Sequence, residues 1–166
     1  MQKTFIIDGY NAIHKIPELE ARLGKSLESA RTALAMEISG WRRRYANAKI
    51  YIVFDGRDEH IFDSSRTKIC GIDCIFTRSN ESADDRIINI VRGSKDSSAI
   101  TVISDDNMVR NSCKAHRAQV KYTSFLQENK KKSRGPAKQV KKGHNNKREQ
   151  EVTDYYKECL RGEGVI

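Results

Sequence analysis

Short apolar runs alternate along the chain with stretches whose apolar positions recur every three or four residues, the pattern of strands interleaved with amphipathic helices. Residues 4–7, 49–54, 72–77, 99–103 and 119–122 predict five strands. From Leu27 the apolar positions Leu27, Ala30, Leu34, Ile38, Trp41 and Tyr45 mark one face of a long helix, with Ser26 placed as its N-cap. Ser82, Ala83, Asp84 and Asp85 open a second helix with Ala83, Ile87, Ile90 and Val91 on its apolar face and Gly93 at its stop. Shorter helices are expected over 106–115 and from 124 to 127. Residues 8–11, Asp-Gly-Tyr-Asn, read as a turn leaving the first strand, and 57–68 as a loop.

Strands alternating with helices imply an α/β fold with a mostly parallel sheet and right-handed crossovers. A chain of 166 residues accommodates one such domain and a tail. We expect the domain over 1–128, a basic segment without periodicity over 129–148, and a short helix or tail over 149–166. The charge supports this division. Of the formal +9, nine Lys or Arg fall within residues 130–148, where there is no acid. No apolar run approaches a membrane span and residues 1–3 do not open a signal peptide, so a cytoplasmic protein without a membrane partner is expected. Cys70, Cys74, Cys113 and Cys159 lack paired metal-site spacing and read as reduced thiols used as small apolar side chains.

Candidate chemistry lies where the strands end. Asp8, Asp55 and Asp105 each follow an apolar run, and Asp84 sits in the first turn of a helix. In a parallel sheet those carboxyl ends share one rim, where ligands bind. Like charges gathered there call for cations, and hard oxygen donors without a His or Cys cluster favour one or two Mg²⁺ or Mn²⁺ ions. Such an ion suits phosphodiester chemistry. Asp85 matches a helix-capping acid and Asp106 a first-turn acid. Tyr10 stacks on a base or packs in the core. Arg42, Arg43 and Arg44 form a solvated helix face or contact phosphates. In the tail, Lys130, Lys131, Lys132, Arg134, Lys138, Lys141 and Lys142 are placed to contact RNA. The four histidines, His14, His60, His116 and His144, are scattered, and no nucleophilic triad is apparent.

Four segments together resemble one family: Phe5-Ile6-Ile7-Asp8-Gly9-Tyr10-Asn11, Val53-Phe54-Asp55, Glu81-Ser82-Ala83-Asp84-Asp85-Arg86-Ile87 and Val102-Ile103-Ser104-Asp105. They are similar to the NYN domain of the PIN-like nuclease superfamily, in its bacterial YacP-like branch, over about residues 3–127. The resemblance implies a PIN-like three-layer α/β/α fold with a central, mostly parallel sheet of about five strands. It also implies a metal-dependent endoribonuclease acting on mRNA at the ribosome. By that resemblance Asp8, Asp84 and Asp105 hold the metal, Asn11 orients a water or phosphate, and Asp55 supports them. Asn107 stands where related proteins carry a further Asp, and the basic tail lies outside the family core. The alternative is a noncatalytic RNA- or ribosome-binding module on the same scaffold, which Asn107 and the tail both motivate.

Overall fold

The computed structural model describes residues 2–56 and 65–133, the side chains of residues 42, 43, 65 and 130–133 excepted. Among them, β1 (Thr4–Asp8), β2 (Lys49–Phe54), β3 (Ser65–Ile69), β4 (Ile72–Phe76), β5 (Ile100–Ile103) and β6 (Gln119–Lys121) form one sheet in the order β3-β4-β2-β1-β5-β6. All neighbouring pairs are parallel except β3 with β4. The helices are α1 (Gly9–Lys15), α2 (Pro17–Leu23), α3 (Leu27–Ser39), α4 (Ala83–Arg92), α5 (Asn107–Ala115) and α6 (Ser124–Ser133).

Period-two alternation along β1 explains the three layers. Phe5 and Ile7 point into one core with Ala12, Ile13, Leu34, Ile38 and Leu126 of α1, α3 and α6. Ile6, between them, points into the other, with Ile87 and Val91 of α4 and Val109 and Cys113 of α5. Strands covered on both faces must be apolar throughout, so they read as continuous runs in the sequence. Each fully buried Ile or Leu contributes about 1.5–3 kcal/mol.

Three expectations are corrected here. Residues 8–11 are not a turn: Asp8 is extended and its carboxylate accepts the Asn11 N–H, so it N-caps α1, which starts directly off β1. The expected 57–68 loop contains part of a sixth strand. Ser65-Arg66-Thr67-Lys68-Ile69 has little apolar signal because β3 is an edge strand carrying cations, which discourage edge pairing. Its hairpin to β4 turns at Cys70 (φ 49°) and Gly71 (φ 74°), the positive-φ pair that a tight hairpin needs.

The third correction concerns the end of the domain. α6 continues to Ser133, past the expected boundary at 128. Asn129 is only 5% exposed; its amide donates to the Phe125 carbonyl and accepts from an Arg44 amino group at 2.8 Å, ties that charge patterning alone does not display. The long helix also ends earlier than its periodicity suggests, giving way at Gly40–Arg43 to a 3₁₀ turn. Trp41 and Tyr45 nevertheless pack on Phe5, with ring centroids 5.6 and 4.8 Å away. The Ser26 cap is present, accepting the Ser29 N–H at 3.0 Å.

β2 and β5 flank β1: the chain runs from β1 to β2 and β4 on one side and then crosses from β4 to β5 and β6 on the other, so the strand order reverses beside Asp8. That reversal opens a crevice at the carboxyl ends of the strands. One wall depends on Gly56, whose N–H donates to Thr77 Oγ1 at 2.9 Å and whose missing Cβ would fall on the Thr77 carbonyl oxygen. Since backbone must yield, Gly56→Ala is expected to cost at least about 1–3 kcal/mol. Urea denaturation checks this, and an unchanged midpoint would refute the close approach.

Candidate active site

Asp8, Asp55, Asp84 and Asp106 line one open cavity of about 340 Å³, together with Tyr10, Asn11, His14, Ser82 and Ala83. Asp8 is delivered by the end of β1 and Asp55 by the residue after β2. Asp84 lies in the first turn of α4, which Ser82 caps by accepting the Asp85 N–H at 3.0 Å. Asp106 is the N-cap of α5 and accepts the Val109 N–H at 2.9 Å. The amino-terminal ends of α4 and α5 therefore open onto the cavity, adding partial positive charge that favours a phosphate.

The carboxylates disturb one another. Asp8 is 5% exposed, and burial pushes its pKa from 3.8 up to about 6. The Ser104 hydroxyl, donating at 2.9 Å, works against that rise, and the charges of Asp84 and Asp106 add to it. Asp84 is raised as well, first by burial and then by Asp106, Asp85 and Asp55. Carboxylates that raise each other stand ready to exchange repulsion for a cation. Among the described residues, however, no three His, Cys, Asp or Glu side chains form a closed metal-holding group. The donor set is hard oxygen around an open cavity, which fits a hydrated Mg²⁺ or Mn²⁺ taking one or two carboxylates directly.

Of the adjacent acids after β5, Asp106 lines the cavity and Asp105 does not. Both Asp105 oxygens are engaged by Thr123, through its N–H at 2.7 Å and its hydroxyl at 2.9 Å, and Asp105 does not line the cavity. Side chains alternate as the chain leaves β5: Ser104 reaches Asp8, Asp105 turns to Thr123, and Asp106 returns to the cavity. Ser104, which the sequence alone did not mark, joins the two acids, since its hydroxyl donates to Asp8 and accepts the Asp106 N–H at 3.1 Å. The available signal was position: it is the first polar residue after a fully buried strand.

The other candidates separate. Asn11 is in place, its carbonyl oxygen accepting the Asp105 N–H at 2.8 Å, so it ties α1 to the β5 loop. Asp55 accepts from Thr77 at 3.5 Å. Asp85 is a capping residue, taking the Ser82 hydroxyl at 2.7 Å. Asn107 is exposed at the first position of α5 and does not line the cavity. Tyr10 is a cavity wall rather than a free stacking surface: its ring packs on Phe54 at 5.3 Å and its hydroxyl accepts from both Nε and an amino group of Arg31. Gly9, just before it, has no room for a side chain, because a Cβ would fall on the Phe54 ring.

Arg44 is exposed, and one of its amino groups donates to the Asn129 amide oxygen at 2.8 Å. The side chains of Arg42, Arg43, Lys130, Lys131 and Lys132, and all of Arg134, Lys138, Lys141 and Lys142, lie outside the described residues. His14 was not singled out from sequence, yet it lines the cavity three residues after Asn11 on α1, with Nδ1 3.8 Å from Glu20. Among the described residues no helix is long and apolar enough to cross a membrane, and Cys70, Cys74 and Cys113 are not in disulfides.

Comparison with known proteins agrees with this fold. A curated relative, the uncharacterized protein YacP of Bacillus subtilis (strain 168), is 32% identical over 82 residues, which is 49% of this chain and 47% of the relative. The alignment thus spans about half of that relative's length. The crystal structure of a single-substitution mutant of Rae1 (YacP) from Bacillus subtilis superposes with a TM-score of 0.65 at 24% identity, covering 80% of this chain and 77% of the other. Another crystal structure of Rae1 (YacP) from Bacillus subtilis gives 0.61 at 21% identity, covering 98% and 86%. These likenesses show the fold, a mixed and mostly parallel six-stranded sheet between helices. The profile of the YacP-like NYN domain matches residues 5–161, so the likeness extends through the basic segment expected from sequence to lie outside the family core. With nearly its whole length matched, the chain belongs to the YacP-like NYN domain family.

Proposed function

We propose that the protein is a metal-dependent endoribonuclease that cleaves RNA phosphodiester bonds, with mRNA on the ribosome as its substrate. The observation that carries this reading is the convergence of Asp8, Asp55, Asp84 and Asp106 on one cavity at the reversal of strand order. Family membership supports a nuclease-type function directed at RNA. The run of basic residues over 130–148 supports a polyanionic partner.

When bound, Mg²⁺ or Mn²⁺ would neutralise charge on the scissile phosphate and activate the attacking water. Asp8, Asp84 and Asp106 would hold the ion, with Asp55 at the margin. Asn11, whose oxygen is already committed to the Asp105 N–H, has its NH₂ left to donate to a phosphate oxygen. Ser104 keeps Asp8 and Asp106 in register. Deprotonated Asp8 is the form that binds the ion, so at metal concentrations below saturation cleavage is expected to fall as pH drops below about 6, and added metal should shift that fall to lower pH.

The test is incubation with single-stranded RNA and Mn²⁺ or Mg²⁺, and with ribosome-bound mRNA in parallel. Cleavage that EDTA abolishes is the expected result. The openness of the carboxylate ring favours one other reading, a noncatalytic RNA- or ribosome-binding module. That reading takes over if neither substrate yields product while RNA binding persists.

A further inference from the structure

The stretch from Asn107 to Thr123, which builds α5 and the edge strand β6, contains Arg110, Lys114, Arg117 and Lys121 and no acidic residue. Lys114, Arg117 and Lys121 are exposed. At the carboxyl end of β6, Tyr122 remains 54% exposed, an unusual setting for a large aromatic ring. The Arg110 guanidinium lies 3.6 Å from the ring centroid, and its Nε is buried without a hydrogen-bond partner among the described residues. Arg110 therefore serves the ring: it covers part of it, restrains its rotamer and adds positive charge beneath an aromatic surface.

The location ties this surface to the cavity. Lys121 pairs in register with Ile103, and its carbonyl accepts the Ser104 N–H at 3.1 Å. Thr123, the next residue after Tyr122, holds Asp105 between Ser104 and Asp106. Tyr122 thus stands on the same sheet rim as the carboxylates, on the side of β5 away from Asp55.

We propose that Tyr122, backed by Arg110, is a base-stacking platform for single-stranded RNA, and that Lys114, Arg117 and Lys121 guide the flanking phosphates along the β6 edge toward the cavity. The inference rests on the reading that RNA is the substrate. It predicts a preference for unpaired RNA: a base held in a duplex has no open face to offer the ring, whereas stacking of a free base tolerates any sequence. It also places the aromatic contact on Tyr122, which is open, and not on Tyr10, whose ring and hydroxyl are already engaged.

The test is equilibrium binding of a fluorescein-labelled, unstructured RNA to the full-length protein in EDTA, where no cleavage intervenes. Tyr122→Ala is expected to weaken binding about tenfold, the value of one stacked base, and Tyr122→Phe to restore it to within about twofold. Replacing Lys114, Arg117 and Lys121 with Gln should lower the salt dependence of log Kd by about 0.7 for each phosphate that is no longer neutralised. An RNA carrying 2-aminopurine should be quenched by the wild type and not by Tyr122→Ala.

Unchanged affinity of Tyr122→Ala overturns the platform, as does a wild type that binds no RNA or binds duplex and single strand alike. Asp8→Asn separates this from the catalytic proposal. If no protein cleaves RNA and Tyr122→Ala still loses affinity, the platform stands without the nuclease. If Asp8→Asn stops cleavage and Tyr122→Ala binds normally, the nuclease stands without the platform.

Discussion

Asp8→Asn is expected to remove RNA cleavage and, in the absence of metal, to make the protein more stable at neutral pH. The loss of cleavage follows from removing charge at the centre of the site. Electrostatic stabilisation through a bound divalent ion is worth several kcal/mol, so a fall of roughly 10²- to 10³-fold in rate is expected. The gain in stability follows from burial. A rise in the Asp8 pKa from 3.8 to about 6 means that folding opposes ionisation of this group. At about 1.4 kcal/mol per tenfold in proton affinity, the opposition is on the order of 3 kcal/mol.

A carboxyl whose pKa is raised in the folded state contributes its stability below the unfolded pKa and loses it as pH rises through the folded value. The wild type without metal should therefore lose stability between about pH 4 and pH 6, and Asp8→Asn should not. Asparagine keeps the cap on α1 through its one amide oxygen, while the NH₂ that replaces Oδ2 must donate to the Ser104 hydroxyl instead of accepting from it, so one hydrogen bond reverses and part of the gain is offset. Chemical denaturation at pH 5 and pH 8, in EDTA and separately in EDTA-free buffer with added Mn²⁺, measures all of this. Mn²⁺ should stabilise the wild type and leave Asp8→Asn unchanged. A variant less stable than the wild type at pH 8 would contradict the account of Asp8 as a strained buried charge.

The second large effect separates two neighbouring acids. Asp106→Asn is expected to reduce cleavage by about 10²-fold or more with little loss of stability, because Asn caps α5 as well as Asp does and only the charge in the cavity disappears. Asp105→Asn should do the reverse. It weakens the paired hydrogen bonds from Thr123, at a cost of about 1–2 kcal/mol, and leaves cleavage within severalfold of the wild type. Measured rates and urea midpoints for both variants decide the assignment. An inactive Asp105→Asn beside an active Asp106→Asn would return the ligand role to Asp105.

Much of the candidate site was legible before the fold. Asp8 and Asp55 end apolar runs, and a buried parallel strand must be apolar until it reaches the rim. Ser82-Ala83-Asp84-Asp85 marked the start of α4 and assigned Asp85 to the cap, which its hydrogen bonds with Ser82 show, and Asp84 lines the cavity. The helix Gly9–Lys15 was not visible because Asp-Gly-Tyr-Asn has turn composition, and what makes it a helix is the Asp8 cap and the packing of Ala12 and Ile13. β3 was not visible because an exposed edge strand carries no apolar run.

The sequence by itself determined the class of fold, the interleaving of strands and helices, and the rim on which the acids would gather, because periodicity and chain direction are properties of the covalent order. It could not determine which acid of an adjacent pair faces that rim. Asp105 and Asp106 are chemically identical and one position apart. Their division into a structural and a cavity-lining residue is made by the extended backbone after β5, by Thr123 arriving from β6, and by Ser104 reaching to Asp8, contacts that join residues 18 and 96 positions apart. The open face of Tyr122 is of the same kind. Its exposure depends on β6 lying at the sheet edge and on Arg110 packing across from α5, and only the folded chain brings those two elements together.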